Sequence, residues 1–322
     1  MTTRPDLLTP AFRAMSARLG QDPLQVQGPG GNTSIKGDGV MWIKASGTEL
    51  ANAEAADIFV AVDHAAARAE AFGAGDGSCK STGLDPTVTL RPSIETTFHA
   101  ALEHAVVAHT HSVATLVHAI SPEGRRLCQA KLDGLPFAMV PYAKPGLPLT
   151  GEILRRIDAN TRIVVLENHG LICCGPTVED VGEIMREVEE RLALPVLRAA
   201  TNVPGSDPLD GFGWSEESWM ATEARTRSLV LAGSYYPDHV VFLGPGLPRA
   251  DHDGVLPAIV ATEGVLLRSN ATTSQRAMLT CLSDVMARLP KEWSVEAIGD
   301  QAEAELLNWD AEKYRQALAA RQ

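Results

Sequence analysis

At a typical ~150 residues per domain, the 322 residues provide for about two domains and a sizeable buried core. Hydrophobic residues make up 45% and charged residues 21%, while 27 Gly and 20 Pro stay short of low-complexity composition, so wholesale disorder and collagen-like repeats are excluded. With 40 acidic against 28 basic side chains, the formal net charge of -12 and pI near 5.2 argue against broad binding to nucleic acid or an anionic membrane.

Cys79, Cys128, Cys173, Cys174 and Cys281 form no CxxC pair, which reads as reduced thiols in a cytoplasmic protein. No apolar core follows Arg4, so no secretory signal is expected. The stretch from Ala105 to Pro122 lacks Asp, Glu, Lys and Arg, but His109, His111 and His118 make it a poor membrane span.

In chain order, Phe12, Met15 and Leu19 recur at helical spacing over residues 9–20, and Gly20 closes that helix. A glycine-rich turn, Gly28-Pro29-Gly30-Gly31-Asn32, then feeds a hairpin whose two strands meet at Gly37-Asp38-Gly39. Residues 58–62 read as a strand and 65–72 as a helix, followed by a loop to residue 84. A helix is expected over 93–102 with Ser93 as its cap, then a strand over 105–110 and a helix over 113–119. Buried strands over 162–167 and 171–174 flank a His169-Gly170 turn, and Thr177 with Asp180 starts a helix that runs to Leu192. Interspersed strands and helices place the chain in the α/β or α+β class.

Residues 200–216 are rich in turn formers and read as a boundary, dividing a domain of residues 1–204 from a smaller α/β region of residues 205–322. That second region is readable as a degenerate repeat. Gly264 to Leu289 echoes Gly170 to Leu192 in its strand, its Thr-bearing turn and its helix ending in Arg-Leu, with Glu263 where the first copy has His169.

The sharpest chemical signal is His109-Thr110-His111. Side chains alternate along a strand, so residues i and i+2 face the same way, and two imidazoles so placed can grip one metal ion. Such a pair needs a third ligand. His169, where a buried strand opens into a Gly turn, supplies a candidate, with His99, His104 and His118 as rivals. Three neutral imidazoles suit Zn2+ and leave a position open for water or substrate. Glu95 reads either as a charge favoured by a helix N-terminus or, facing such a metal, as a general base. Gly28 to Asn32 reads either as an anion-binding nest or as a plain tight turn, and it lacks dinucleotide-fingerprint spacing.

Five motifs together resemble the class II aldolase/adducin family, in the family's order: Gly-Gly-Asn-Thr-Ser at 30–34, Ala-Ser-Gly-Thr at 45–48, Pro-Ser-Ile-Glu-Thr at 92–96, His-Thr-His-Ser at 109–112 and Glu-Asn-His-Gly-Leu at 167–171. Within it, the likeness is greatest to the aldolase half of bifunctional rhamnulose-1-phosphate aldolase/alcohol dehydrogenase proteins. No dinucleotide turn follows residue 200, so no dehydrogenase half is expected.

The resemblance implies a three-layer α/β/α fold around a mainly antiparallel sheet. It also implies a divalent metal, Zn2+ or another such as Mn2+, held by His109, His111 and His169, with Glu95 as the catalytic acid/base. Asn32, Ser46, Gly47 and Ser93 match substrate-binding positions. The activity implied is retro-aldol cleavage of the C3–C4 bond of a ketose or ketose 1-phosphate through a metal-stabilised enediolate. Same-fold decarboxylation or epimerisation of a sugar-acid derivative and an adducin-like binding module are the alternatives. Ile94 and Pro29 stand where fuculose-phosphate members carry hydroxyls, with Lys36 and Lys44 as candidate replacements for the phosphate contacts. Tyr142, Tyr235 and Tyr236 are candidates for the family's proton-donating tyrosine. A homo-oligomer, tetramer or dimer, is the implied assembly.

Overall fold

Short apolar runs with side chains alternating to opposite faces build the central sheet of this computed structural model, which describes residues 2–198, 203–249 and 256–320. The helices α1 (Pro10–Gln21), α2 (His64–Ala71), α3 (Thr96–Ala101), α4 (Val113–Ala119), α5 (Pro122–Leu132), α6 (Leu147–Leu154) and α7 (Val178–Leu192) interleave with seven strands. These are β1 (Asn32–Gly37), β2 (Val40–Lys44), β3 (Phe59–Asp63), β4 (Val106–Thr110), β5 (Phe137–Val140), β6 (Ile163–Leu166) and β7 (Gly170–Gly175). Their order is β3-β2-β1-β4-β7-β6-β5, antiparallel throughout except for the parallel pair β5 and β6.

Alternation sorts the core into layers. Val106, Ala108, Val165, Leu171 and Cys173 pack against α1, α5 and α7, while Val107, Val164, Ile172 and Cys174 meet Phe98 and Leu102 and Leu149 and Ile153 of α6 on the other face. Thus the three-layer α/β/α arrangement with a mainly antiparallel sheet is present.

Beyond residue 203 come β8 (Phe212–Trp214), α8 (Trp219–Thr222), α9 (Ala224–Ala232), α10 (Pro237–Leu243), β9 (Ala258–Val260), β10 (Val265–Arg268), α11 (Thr273–Arg288), α12 (Asp300–Leu307) and α13 (Asp310–Ala319). The strands form a second, antiparallel sheet in the order β8-β10-β9. Its helices share one core with α4: Val113, Leu116, Val117 and Ile120 pack with Tyr236, Val240, Leu279 and Leu282. The hairpin β9–β10 leading into α11 repeats the connectivity of β6–β7 leading into α7. In both, a threonine caps the helix, Thr177 accepting from Asp180 N and Thr272 from Gln275 N.

Three details differ from expectation. The helix expected from Ser93 begins at Thr96, because Ser93 Oγ takes the Glu95 N–H and folds 93–95 into a turn. β5, α5 and α6 lie in residues 120–161, where no element was read. The expected boundary segment contains β8, while its residues 200–202 lie outside the described part. The five cysteines are free and buried, and among the described residues no helix is long and apolar enough to cross a membrane.

Candidate metal centre and active site

β4 ends at the site. His109 lies on the sheet face that meets α3, its ring edge-on to Phe98 at 5.8 Å, and His111 follows just past the strand. Antiparallel pairing sets Thr110 opposite Leu171, so the β6–β7 turn brings His169 alongside. Gly170 is required there, since a Cβ would stand 2.3 Å from Thr110 O. The ring centroids are 5.0 Å apart for His109 and His111, 4.9 Å for His109 and His169, and 5.4 Å for His111 and His169. One ring nitrogen from each lies within 4.8 Å of the others.

The donor chemistry fits a divalent ion. His109 Nδ1 is 3.0 Å from Leu171 O, and a carbonyl only accepts, so Nδ1 carries the proton and Nε2 presents a bare lone pair. That Nε2 is buried without a hydrogen-bond partner, as is Glu95 Oε1. Burial pushes the His109 pKa down, with Glu95 opposing, and burial together with the two neighbouring imidazoles pushes that of His169 far down. Neutral imidazoles with unshared lone pairs are what zinc or a similar cation requires.

Glu95 faces this cluster from the turn before α3. Its Oε2 is 3.5 Å from His109 Nε2 and its Oε1 is 3.5 Å from His169 Nε2. β1 and β4 pair with Asn32 opposite His109, which puts Asn32 beside Glu95: Asn32 Nδ2 donates to Glu95 Oε2 at 2.8 Å and to Ser93 Oγ at 3.1 Å.

His99, a rival ligand by sequence, has a different place. Its Nε2–H donates to Asn32 Oδ1 and its Nδ1 accepts from Ser34 Oγ at 2.7 Å, so the ring fixes which way the Asn32 amide points. His104 and His118 are engaged by the carbonyls of Thr161 and Ala114. Among the tyrosines, Tyr235 donates to Leu229 O and Tyr236 to Cys281 Sγ in the C-terminal core, whereas the Tyr142 hydroxyl is buried without a partner. Lys36 and Lys44 both point their ammonium groups at backbone carbonyls, those of Leu102 and His104 and those of Pro29 and Thr48. Neither is therefore presented to a ligand.

Of the remaining expected residues, Ser46 lines a cavity and Gly47 lies under the C-terminal helices. Ser46, with a buried and unpartnered hydroxyl, borders a cavity of about 440 Å³ together with Arg91, Ile94, Lys144, Trp309 and Tyr314. Arg91 lies over the Tyr314 ring at 4.0 Å and Lys144 over Trp309 at 4.7 Å. Leu318 of α13 packs directly on Gly47. The C-terminal helices therefore cover Gly47 and form one wall of that cavity.

The C-terminal region also reaches the centre with residues that sequence reasoning missed. Asp238 Oδ2 is 3.1 Å from His111 Nδ1, and Arg315 bridges Asp238 and Glu312, all buried. Asn168 donates to Tyr235 O at 3.0 Å and to Glu296 O at 2.7 Å, tying the His169 turn to the same region.

A three-layer sheet that gathers three histidines and a glutamate at one strand end is the arrangement of a known class. Residues 13–195 match the class II aldolase and adducin N-terminal domain, and the chain belongs to that family. It is 31% identical over 180 residues to a Bacillus subtilis (strain 168) protein named "Uncharacterized oxidoreductase YuxG", a match covering 50% of this chain and 25% of that protein. The chain thus spans about a quarter of the length of that relative.

Among solved structures, the N-terminal class II aldolase domain of a conserved protein from Thermoplasma acidophilum superposes with a TM-score of 0.52 at 25% identity, covering 60% of this chain and 97% of that one. The L-fuculose-1-phosphate aldolase of Thermus thermophilus matches with a TM-score of 0.38 at 18% identity, over 57% of this chain and 92% of that one.

Proposed function

We propose that this chain is a metal-dependent aldehyde-lyase that cleaves the C3–C4 bond of a ketose or ketose 1-phosphate. The observation that carries the reading is the convergence of three buried imidazoles within 4.8 Å, with both oxygens of one carboxylate against two of them. A divalent ion held by His109, His111 and His169 supplies charge stabilisation for the oxygen that becomes anionic as the bond breaks. Glu95 moves the proton: its Oε1 is buried without a hydrogen-bond partner, 3.5 Å from His169 Nε2. Asn32, oriented by His99, holds Glu95 Oε2 and so leaves Oε1 for that task.

Ser46, Gly47 and Ser93 belong to the approach that receives the far end of the substrate. The cavity beside Ser46 carries Lys80, Arg91 and Lys144 against Asp76 and Asp310, a net excess of one positive charge that favours an anionic group. Ile94 on the same wall offers no hydroxyl to a phosphate and favours a second reading, decarboxylation or epimerisation of a sugar-acid derivative. A likeness to rhamnulose-1-phosphate aldolases and a homo-oligomeric state belong to the first reading.

Two measurements test this. Elemental analysis of the purified protein is expected to find about one zinc, manganese or similar ion per chain. An assay panel of ketose 1-phosphates, free ketoses and 3-keto acids is expected to release aldehyde from a ketose substrate. Carbon dioxide release would instead establish the second reading, and a chain that neither binds metal nor gains activity from it would leave only a binding module.

A further inference from the structure

The family domain ends near residue 195, yet the centre is not closed by its residues. His111 Nδ1 and Asp238 Oδ2 stand 3.1 Å apart, both buried, and among the described residues neither atom makes a hydrogen bond of good geometry, so each is left to answer the other. Asp238 sits on α10, and its other oxygen is held by Arg315 from α13. Asp238 is not in the group that His109, His111 and His169 form, whose ligand atoms lie within 4.8 Å of one another.

Gly30 explains part of the glycine-rich turn in the same terms. A Cβ at that position would stand 2.8 Å from Asp238 Oδ2 and 2.9 Å from His111 Nδ1. Any larger residue would therefore wedge the pair apart. The turn that reads as an anion nest in sequence serves, at this glycine, to let a carboxylate from the C-terminal region reach a histidine of the family domain.

Resting on the metal reading above, we infer that Asp238 is a positioning residue. It accepts the His111 Nδ1 proton, fixes that ring's tautomer, and turns Nε2 toward His109 and His169. Residues beyond the family domain thereby complete the metal centre. Carboxylates behind ligating imidazoles raise ligand basicity and fix ring orientation, and their loss typically weakens metal binding ~10–100-fold.

The test uses the full chain, with zinc affinity measured by competition against a chromophoric chelator and with the visible spectrum of the cobalt-substituted protein. Asp238→Asn is expected to weaken zinc binding ~10–100-fold and to change the cobalt spectrum. Gly30→Ala, which leaves every charge in place, is expected to shift both readouts in the same direction. Should Asp238→Asn not fold when metal-free, Gly30→Ala decides the matter. Wild-type affinity and an unaltered cobalt spectrum in the folded variants would overturn the inference while leaving the three-histidine centre standing. Wild-type protein that takes up neither zinc nor cobalt would overturn the metal reading itself, and this inference with it.

Discussion

Glu95→Gln is expected to lower turnover by ~10²–10⁴-fold at unchanged metal content, the usual scale for loss of a general acid/base. Glutamine keeps the volume of the side chain and an oxygen that can accept from Asn32 Nδ2, now 2.8 Å from Glu95 Oε2. What it loses is the ability to take and return a proton. The three imidazoles still present their nitrogens within 4.8 Å of one another, so the ion stays. The check is kcat on the substrate found by the assay panel, beside elemental analysis of the same preparation. Normal turnover would remove Glu95 from its role. Loss of metal along with activity would make it a ligand instead.

Local patterning made one half of this centre legible and left the other half invisible. Alternation along an apolar strand is enough to put His109 and His111 on one face, and a Gly turn after a buried strand is enough to expose His169. These are short-range consequences of strand geometry, and they hold in the structure. The role of His99 was hidden because helical spacing marks only that it is buried. Its function depends on pairing across β1, which places Asn32 and Ser34 under its ring.

Asp238 and its partner Arg315 were hidden more deeply, since Asp238 meets His111 only through tertiary packing of a region more than a hundred residues downstream. No periodicity announces such a contact. The start of α3 was misplaced for a local reason: Ser93 does cap, but it caps the turn that aims Glu95 and not the helix itself. β5 is four residues long and partly exposed, too short for alternation to register.

The buried charge cluster makes the second large prediction. Arg315→Met is expected to destabilise the protein by about 3–5 kcal/mol, the usual cost of stranding buried charges by removing one partner. Methionine is apolar and long enough to keep contact with Phe242, whose ring lies 5.2 Å from the guanidinium carbon. It cannot answer Asp238 or Glu312, whose Oε2 is 2.8 Å from Arg315 Nε. Burial opposes ionisation of Asp238, but Arg315 and His111 more than offset it and hold that carboxyl well below the usual range.

Glu312 behaves in the opposite way: burial pushes its carboxyl up to about 7, with Arg315 only partly opposing. The native state thus keeps this proton up to about pH 7, whereas the unfolded chain releases it near 4.5. Between those values the native state binds more protons, so this group's contribution to stability falls as pH rises and levels off above pH 7. Urea unfolding of wild type and Glu312→Gln across pH 5 to 8 should show it. Relative to the variant, wild type should lose up to ~3 kcal/mol on the way to pH 7, at ~1.4 kcal/mol per pH unit, and nothing further above it. Parallel stability curves would mean that Glu312 is already ionised at pH 5 and that Arg315 is matched by two full negative charges. In that case Arg315→Met should reach the upper end of its expected cost.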